Sequence, residues 1–141
     1  MRGIVLAGGS GTRLSPLTKI TSKQLLPVYD KPMVFYPLEV LLKAGIKDIL
    51  FIIAPDRAGD FLNLLGSGRN FGAKFAYEIQ DKPEGLAQAY IIAANFIRDS
   101  NVVMILGDNI FEHDFTKTIK KFKRGGHIFA KEVPDPERFG V

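Results

Sequence analysis

Three short runs of apolar residues constrain the fold of this chain more than any other feature. They span residues 3–7, 49–53 and 102–106, and a glycine follows both the first and the last of them. Continuous apolar runs of this length are typical of parallel strands buried on both faces, whereas a strand with one solvated face alternates apolar and polar residues. The sequence therefore predicts a sheet that is covered on both sides.

Apolar residues at helical spacing lie between and after these runs. The four sets are Val34, Leu38, Leu41 and Leu42; Phe61, Leu64 and Leu65; Leu86, Ala89, Tyr90, Ala93 and Ile97; and Phe115, Ile119 and Phe122. We expect Pro37 in the first turn of the first helix, Gly45 at its end, and Asp114 as the N-cap of the last helix. Residues 73–79 and 128–130 are expected to add strands. This alternation predicts an α/β fold, a Rossmann-like three-layer αβα arrangement around a mostly parallel sheet.

Length and composition exclude several classes of protein. The 141 residues correspond to one domain, and no linker or internal repeat divides them. The absence of cysteine excludes disulfides, thiolate nucleophiles and cysteine-based zinc sites. His113 and His127 are the only histidines and lie far apart in sequence, which argues against zinc proteases and triad hydrolases. No apolar run approaches the ~20 residues that span a bilayer, so we expect no membrane segment and a cytoplasmic location.

The charge of the chain favours an anionic partner. The net charge is +4, and a basic cluster contains Lys117, Lys120, Lys121, Lys123 and Arg124. Cations are favoured late in a helix, and this cluster lacks both interleaved exposed aromatic residues and an accompanying nucleic-acid motif. We therefore interpret it as a solvated face and expect no nucleic-acid partner.

A glycine-rich turn follows the first predicted strand, with the sequence Gly8-Gly9-Ser10-Gly11-Thr12-Arg13. Such a turn can direct several backbone N–H groups at one anion, and the guanidinium of Arg13 suits a phosphate. The alternative is a structural turn with a surface arginine. Leu14 stands where the dinucleotide fingerprint needs its third glycine, and no P-loop motif is present.

Two polar segments offer further ligand groups. In residues 22–27, Lys23 suits a phosphate and Gln24 suits a sugar hydroxyl, although a solvated loop is the alternative. In residues 80–88, the amide of Gln80 suits the edge of a pyrimidine, and Gly85 leaves room for the ring. A plain connection between a strand and a helix is the alternative for this second segment.

Asp108 gives the clearest physical indication of a site, because it follows the apolar run 102–106 after Gly107. Ligands of open parallel sheets bind beyond the carboxyl ends of the strands. A carboxylate at that edge is placed to hold Mg²⁺ on a polyphosphate. The alternative is a turn in which Asp108 and Asn109 cap the next element.

Taken together, these motifs resemble those of the sugar nucleotidyltransferases. The matching segments are residues 8–18, 22–33, 83–89, 106–111 and 135–141, in that order. The glycine-rich turn marks the superfamily, whereas Lys-Gln-Leu-Leu-Pro at 23–27 and Gly-Leu-Ala-Gln-Ala at 85–89 resemble its thymidylyl branch. The resemblance implies that the phosphate of glucose 1-phosphate attacks the α-phosphorus of dTTP and that pyrophosphate leaves, with UTP as the rival nucleotide.

The resemblance also implies roles for individual residues. It assigns nucleotide binding to Leu6, Ala7, Gly8, Gly9, Ser10, Gly11, Thr12, Arg13, Gln24, Gln80, Pro83 and Gly85. It makes Arg13, Lys23 and Asp108 the candidate catalytic residues, with Asp108 as the Mg²⁺ ligand. It places Asn109, Phe139 and Gly140 near the sugar. Assembly as a homo-oligomer is a further implication.

Two departures from the family pattern stand out. Glu84 occupies a position where the family usually has aspartate. The family pattern also continues through a Glu-Lys-Pro motif and a later aspartate, and neither is found in residues 1–141. We therefore expect residues 1–141 to be the amino-terminal, nucleotide-binding part of a nucleotidyltransferase domain, without its sugar-binding and carboxy-terminal parts.

Overall fold

A parallel sheet forms the centre of the computed structural model, which describes residues 1–9, 11–135 and 137. The strands are β1 (Arg2–Ala7), β2 (Pro27–Val28), β3 (Lys31–Pro32), β4 (Asp48–Ile53), β5 (Lys74–Ile79) and β6 (Val102–Leu106). The helices are α1 (Phe35–Lys43), α2 (Ala58–Leu65), α3 (Leu86–Ile92), α4 (Ala94–Ile97) and α5 (Thr116–Lys121). The main sheet has the order β5-β4-β1-β6, and β2 and β3 form a separate antiparallel hairpin.

Strand β1 lies in the middle of the sheet and sets the register of its neighbours. Ile4 pairs with Leu50 of β4 on one side and with Met104 of β6 on the other. All pairings in the main sheet are parallel, so the carboxyl ends of β1, β4, β5 and β6 lie at the same edge. The predicted parallel sheet is confirmed, including a strand at 74–79.

Helices cover both faces of the sheet, which confirms the three-layer prediction. On one face, side chains of α1, α2 and α5 pack with Val5 and Phe51 of the sheet. On the other face, Ala89 and Ala93 pack with Ile4 and Leu50. Phe51 is fully buried, and its truncation to alanine would cost about 3–5 kcal/mol of stability. Among the described helices, none combines the length and the apolar character that crossing a bilayer requires.

The helix expected over the apolar residues 86–97 is interrupted. It divides into α3 and α4 at Ala93, whose φ of −80° and ψ of 0° depart from helical values. Pro37 lies in the first turn of α1 and Gly45 follows its end with φ of 85°, as predicted.

Two expectations near the end of the chain are corrected. Residues 128–130 form no strand: none of the described strands pairs with them, and Ile128 is 89% exposed. Helix α5 begins one residue later than expected, with Phe115 at the N-cap, and it ends before Phe122. The Oδ1 atom of Asp114 nevertheless accepts a hydrogen bond from the backbone N–H of Thr116 at 2.9 Å. The side chain of Thr116, followed by this backbone N–H, lowers the pKa of Asp114.

Candidate functional site

A polar cleft opens at the carboxyl edge of the sheet, where the segments after β1 and β6 meet. Because β1 and β6 are adjacent and parallel, the glycine-rich turn and Asp108 emerge side by side. The cleft has a volume of about 440 Å³. Its lining residues are Gly9, Gly11, Thr12, Arg13, Leu14, Lys23, Gln24 and Asp108. Three segments that are distant in sequence thus form one site.

The glycine-rich turn is held close to the segment that carries Lys23. Gly11 has a φ of 60°, a conformation that favours glycine, and a Cβ atom there would lie 2.9 Å from the Cβ atom of Lys23. The hydroxyl of Thr18 donates a hydrogen bond to the carbonyl of Gly11 at 3.1 Å. Thr12 and Arg13 follow in a short 3-10 turn, Thr12–Leu14, with their side chains exposed. The turn therefore presents backbone groups and one guanidinium to the cleft.

Lys23 and Asp108 form an ion pair in the cleft. The Nζ atom of Lys23 lies 3.0 Å from Oδ2 of Asp108, and the two side chains are 31% and 35% exposed. A pair exposed to this degree adds only about 0–1 kcal/mol to stability. The ion pair therefore contributes little to the stability of the fold, and both charged groups remain accessible to an entering ligand.

Gln24 forms part of the floor of the cleft. The residue is 4% exposed, and its Oε1 atom accepts a hydrogen bond from the hydroxyl of Ser22. A Cβ atom added to Gly107 would lie 3.1 Å from Cγ of Gln24, so the glycine before Asp108 leaves room for this side chain. The proposed contact of Gln24 with a sugar stays a prediction.

A second polar group lies beyond Gly8, at the end of β5 and the start of α3. Gln80 is 4% exposed, and its Nε2 atom donates to Oε1 of Gln88 at 2.6 Å. Gln88 in turn donates from Nε2 to Oε2 of Glu84 at 2.9 Å, and its Oε1 atom also accepts from the N–H of Glu84 at 3.0 Å. A methyl group added to Gly8 would overlap Oε1 of Gln80. This group therefore reaches the first glycine of the turn.

The remaining predicted site residues do not line the cleft or lie outside the described residues. Leu6 and Ala7 belong to β1, and the side chain of Ala7 is buried. Pro83 and Gly85 lie exposed in the connection before α3. Asn109 lines a different, mainly apolar cavity of about 580 Å³ along β6. Ser10, Phe139 and Gly140 lie outside the described residues.

Sequence reasoning missed three residues of the site. Leu14 lines the cleft, although the sequence distinguishes it only as a departure from the dinucleotide fingerprint. Glu84 and Gln88 hold Gln80, although neither was predicted to have a role. Their separation by four residues, across the start of a helix, was the available signal.

The described residues fit a magnesium ion that arrives with phosphate rather than one held by protein alone. They contain no group of three or more histidine or acidic residues able to hold a metal. Asp108 supplies one carboxylate, and Mg²⁺ is commonly bound by one or two carboxylates together with substrate phosphates. The donor set of the cleft is therefore compatible with a metal–triphosphate complex.

Comparisons with known proteins agree on one family. The sequence model described as nucleotidyl transferase matches residues 2–141. The chain is 56% identical over 145 residues to the glucose-1-phosphate thymidylyltransferase of Neisseria meningitidis, covering 100% of this chain and 50% of that protein. It is 54% identical over 144 residues to the Mycobacterium tuberculosis protein of the same name, with the same two coverages. The chain thus spans about half the length of the curated relatives it matches.

Solved structures show the same relationship. A Bacillus anthracis protein named as a glucose-1-phosphate thymidylyltransferase, crystallised with sucrose, superposes with a TM-score of 0.83 at 44% identity. The match covers 86% of this chain and 49% of the other. A UDP-glucose pyrophosphorylase bound to UDP-glucose gives a TM-score of 0.69 at 25% identity, covering 84% of this chain and 51% of the other.

Proposed function

The chain belongs to the nucleotidyl transferase family, and from this premise we propose that it provides the nucleotide-binding part of a glucose-1-phosphate thymidylyltransferase. The proposed whole reaction joins dTTP and glucose 1-phosphate to give dTDP-glucose and pyrophosphate. The observation that carries the proposal is the convergence of the glycine-rich turn, Lys23 and Asp108 on one cleft. The names of the curated relatives support the substrates.

The chemistry of the cleft suits transfer of a nucleotidyl group. The phosphate oxygen of the sugar would form a bond to the α-phosphorus while the bond from that phosphorus to the pyrophosphate oxygen breaks. The attacking phosphate is already an anion at neutral pH, so the reaction needs alignment and charge neutralisation more than a strong base. Arg13 and Lys23 supply positive charge to the phosphates, and the turn supplies N–H groups. Mg²⁺ held by Asp108 would add further neutralisation.

Binding of dTTP to the chain as it stands tests the nucleotide site. We expect calorimetry with Mg²⁺ to show saturable binding of dTTP in the millimolar range or below. A release assay for pyrophosphate, with glucose 1-phosphate added, should show little or no turnover by residues 1–141. The absence of heat at millimolar dTTP would contradict the proposal.

A uridylyl transfer is the second candidate, and its support is the similarity to a structure that holds UDP-glucose. Comparing the dissociation constants of dTTP and UTP would separate the two reactions. A non-catalytic nucleotide-binding module is the third candidate, and rapid turnover by the chain would exclude it. Homo-oligomer formation and a cytoplasmic location stay predictions.

A further inference from the structure

Gln80 presents its amide oxygen beside the glycine-rich turn. The residue is 4% exposed, and its amide donates from Nε2 to Gln88, which leaves Oε1 as the acceptor end. The same atom lies against Gly8, the first residue of the turn. An amide oxygen can accept a hydrogen bond from an N–H or O–H group of a ligand. This oxygen is therefore placed to meet a donor on a molecule that occupies the site.

Which end of the Gln80 amide faces the site depends on groups farther away. An amide has a donor end and an acceptor end of nearly the same shape, so its orientation is set by its hydrogen-bond partners. The carboxylate of Glu84 can only accept, so it must face Nε2 of Gln88. The backbone N–H of Glu84 can only donate, so it must face Oε1 of Gln88. Two groups of opposite and fixed polarity thus determine the orientation of Gln88.

The orientation of Gln88 then determines that of Gln80. Oε1 of Gln88 is an acceptor, so the group 2.6 Å from it must be the Nε2 donor of Gln80. That leaves Oε1 of Gln80 at the other end of the amide, toward Gly8. A rotation of Gln80 by half a turn would place two oxygens against each other. The result is an acceptor at a fixed position in the site.

We propose that Glu84 and Gln88 are positioning residues, which fix the Gln80 oxygen so that the site selects pyrimidines carrying an N3–H group over cytosine. The inference rests on the proposed nucleotide site and specifies how it reads the base. Thymine and uracil have a hydrogen at N3, whereas N3 of cytosine is an acceptor and would face the oxygen of Gln80. This contact therefore treats thymine and uracil alike and rejects cytosine.

Binding of dUTP and dCTP tests the proposal, because both lack the 5-methyl group and share the same sugar. We expect the unchanged chain to bind dUTP about tenfold or more tightly than dCTP, as a mismatched buried polar contact requires. Gln88→Met keeps the length of the side chain and removes its hydrogen bonds. In this variant the ratio of the two dissociation constants should fall close to one, because the Gln80 amide can then rotate.

Variants of Glu84 separate positioning from a merely structural role. Glu84→Gln should give an intermediate ratio, because the backbone N–H still orients Gln88. Glu84→Asp keeps a carboxylate and should retain most of the discrimination. Because Glu84 is exposed, these variants provide the test even where Gln88→Met fails to fold. Thermal unfolding measured beside each titration shows whether the fold is intact.

The possible outcomes distinguish the positioning role of Glu84 and Gln88 from the nucleotide site itself. If folded Gln88→Met binds dUTP and keeps the discrimination of the unchanged chain, the positioning role is wrong and the nucleotide site stands. If Glu84→Gln and Glu84→Asp both behave as the unchanged chain does, the role of the carboxylate is wrong. If the unchanged chain binds no nucleotide at all, the proposed function and this inference fail together.

Discussion

The two ends of the candidate site are organised in opposite ways. At the phosphate end, which we define as Gly9, Gly11, Thr12, Arg13, Lys23 and Asp108, the charged side chains are partly or fully exposed, and Arg13 forms no ion pair within the described residues. At the base end, defined as Gly8, Gln80, Glu84 and Gln88, a nearly buried amide is held by a chain of hydrogen bonds. The charged groups of the phosphate end are in contact with solvent, whereas the amide of the base end is already oriented by hydrogen bonds before a ligand binds.

Under the proposed function, the difference follows from what each end would recognise. A phosphate attracts cations from any direction, so Arg13 and Lys23 can adjust when it arrives and need no rigid support. A base is recognised by the order of its donors and acceptors, so an amide that rotates freely discriminates nothing. The side-chain hydrogen bonds that orient an amide are therefore found where orientation carries the information. Affinity should depend mainly on the phosphate end, and specificity mainly on the base end.

Removing the guanidinium at the phosphate end should have the largest effect on affinity. A hydrogen bond to a charged group contributes about 1.5–3 kcal/mol, so we expect Arg13→Ala to weaken dTTP binding by roughly 10- to 150-fold. The ratio of dUTP to dCTP binding should stay unchanged. Calorimetry with the three nucleotides measures both quantities. Arg13→Lys serves as the control, since it keeps the charge and loses the planar fork.

A loss of discrimination in Arg13→Ala without a loss of affinity would reverse the assignment of the two ends. In that case the guanidinium would contact the base, and the cleft around Lys23 and Asp108 would have to hold another part of the ligand. Arg13→Lys would then be expected to reproduce the loss of discrimination, because a lysine cannot replace the geometry of the fork.

Adding one methyl group at the base end is the next largest perturbation. Gly8→Ala would overlap Oε1 of Gln80, and overpacking of a well-packed site costs about 1–3 kcal/mol. We expect lower stability and a smaller preference for dUTP over dCTP. Gly59→Ala is the matched control, because it lies in α2 and a Cβ atom there meets nothing within 4 Å. Equal behaviour of the two variants in unfolding and titration would contradict the packing of Gln80 on the turn.

The sequence predicted the phosphate end better than the base end, for a physical reason. Gly11 and Asp108 are signalled by residue type and by their place after buried strands, so local pattern and sheet topology suffice to bring them together. The role of Gln88 depends on the directions in which three amide and carboxyl groups point, and these are set only by tertiary structure.

The fold shows the same limit on prediction. Strands 102–106 and 49–53 followed from continuous apolar runs, because burial on both faces leaves a clear pattern. No proline or glycine marks the break at Ala93, so the apolar periodicity predicted one continuous helix across it. A strand at 128–130 was expected from local composition, but a strand also needs a neighbour, and none of the described strands pairs with these residues.

Removing the carboxylate at the phosphate end should abolish the effect of Mg²⁺ on dTTP binding. In the unchanged chain we expect Mg²⁺ to strengthen dTTP binding, because Asp108 can hold the ion against the phosphates. In Asp108→Asn this strengthening by Mg²⁺ should disappear. We expect dTTP to bind about tenfold more weakly in the presence of Mg²⁺, which corresponds to about 1.4 kcal/mol. Binding without Mg²⁺ should improve, because Lys23 is released from the 3.0 Å ion pair. Titrations with and without a chelator measure both effects.

Asp60→Asn provides the control for that experiment, since Asp60 is an exposed carboxylate on α2 that does not line the cleft. It changes the net charge by the same amount as Asp108→Asn. If both variants respond to Mg²⁺ in the same way, the effect comes from overall charge, and Asp108 is not the ligand.

The smallest effect is expected from the strand that supports the base end. Tyr77 in β5 donates a hydrogen bond to the carbonyl of Gly66 at 2.6 Å, and partial burial raises the pKa of Tyr77 to about 12. Tyr77→Phe should cost about 0.5–1.5 kcal/mol of unfolding free energy at neutral pH, the net value of one hydrogen bond. It should leave the preference for dUTP over dCTP unchanged, because the amide of Gln80 is oriented by Gln88 and not by the phenol.

The pH dependence of that stability difference has a definite sign. A raised pKa means that the folded state favours the neutral phenol, so the contribution of Tyr77 is complete below its ordinary pKa near 10. It decreases as the pH rises from about 10 through about 12, where the unfolded chain ionises first. Urea unfolding of both proteins at pH 8 and pH 11 should therefore show a smaller difference at pH 11. A difference that grows with pH would mean that the fold stabilises the phenolate, which neither burial nor a hydrogen bond donated to a carbonyl can do.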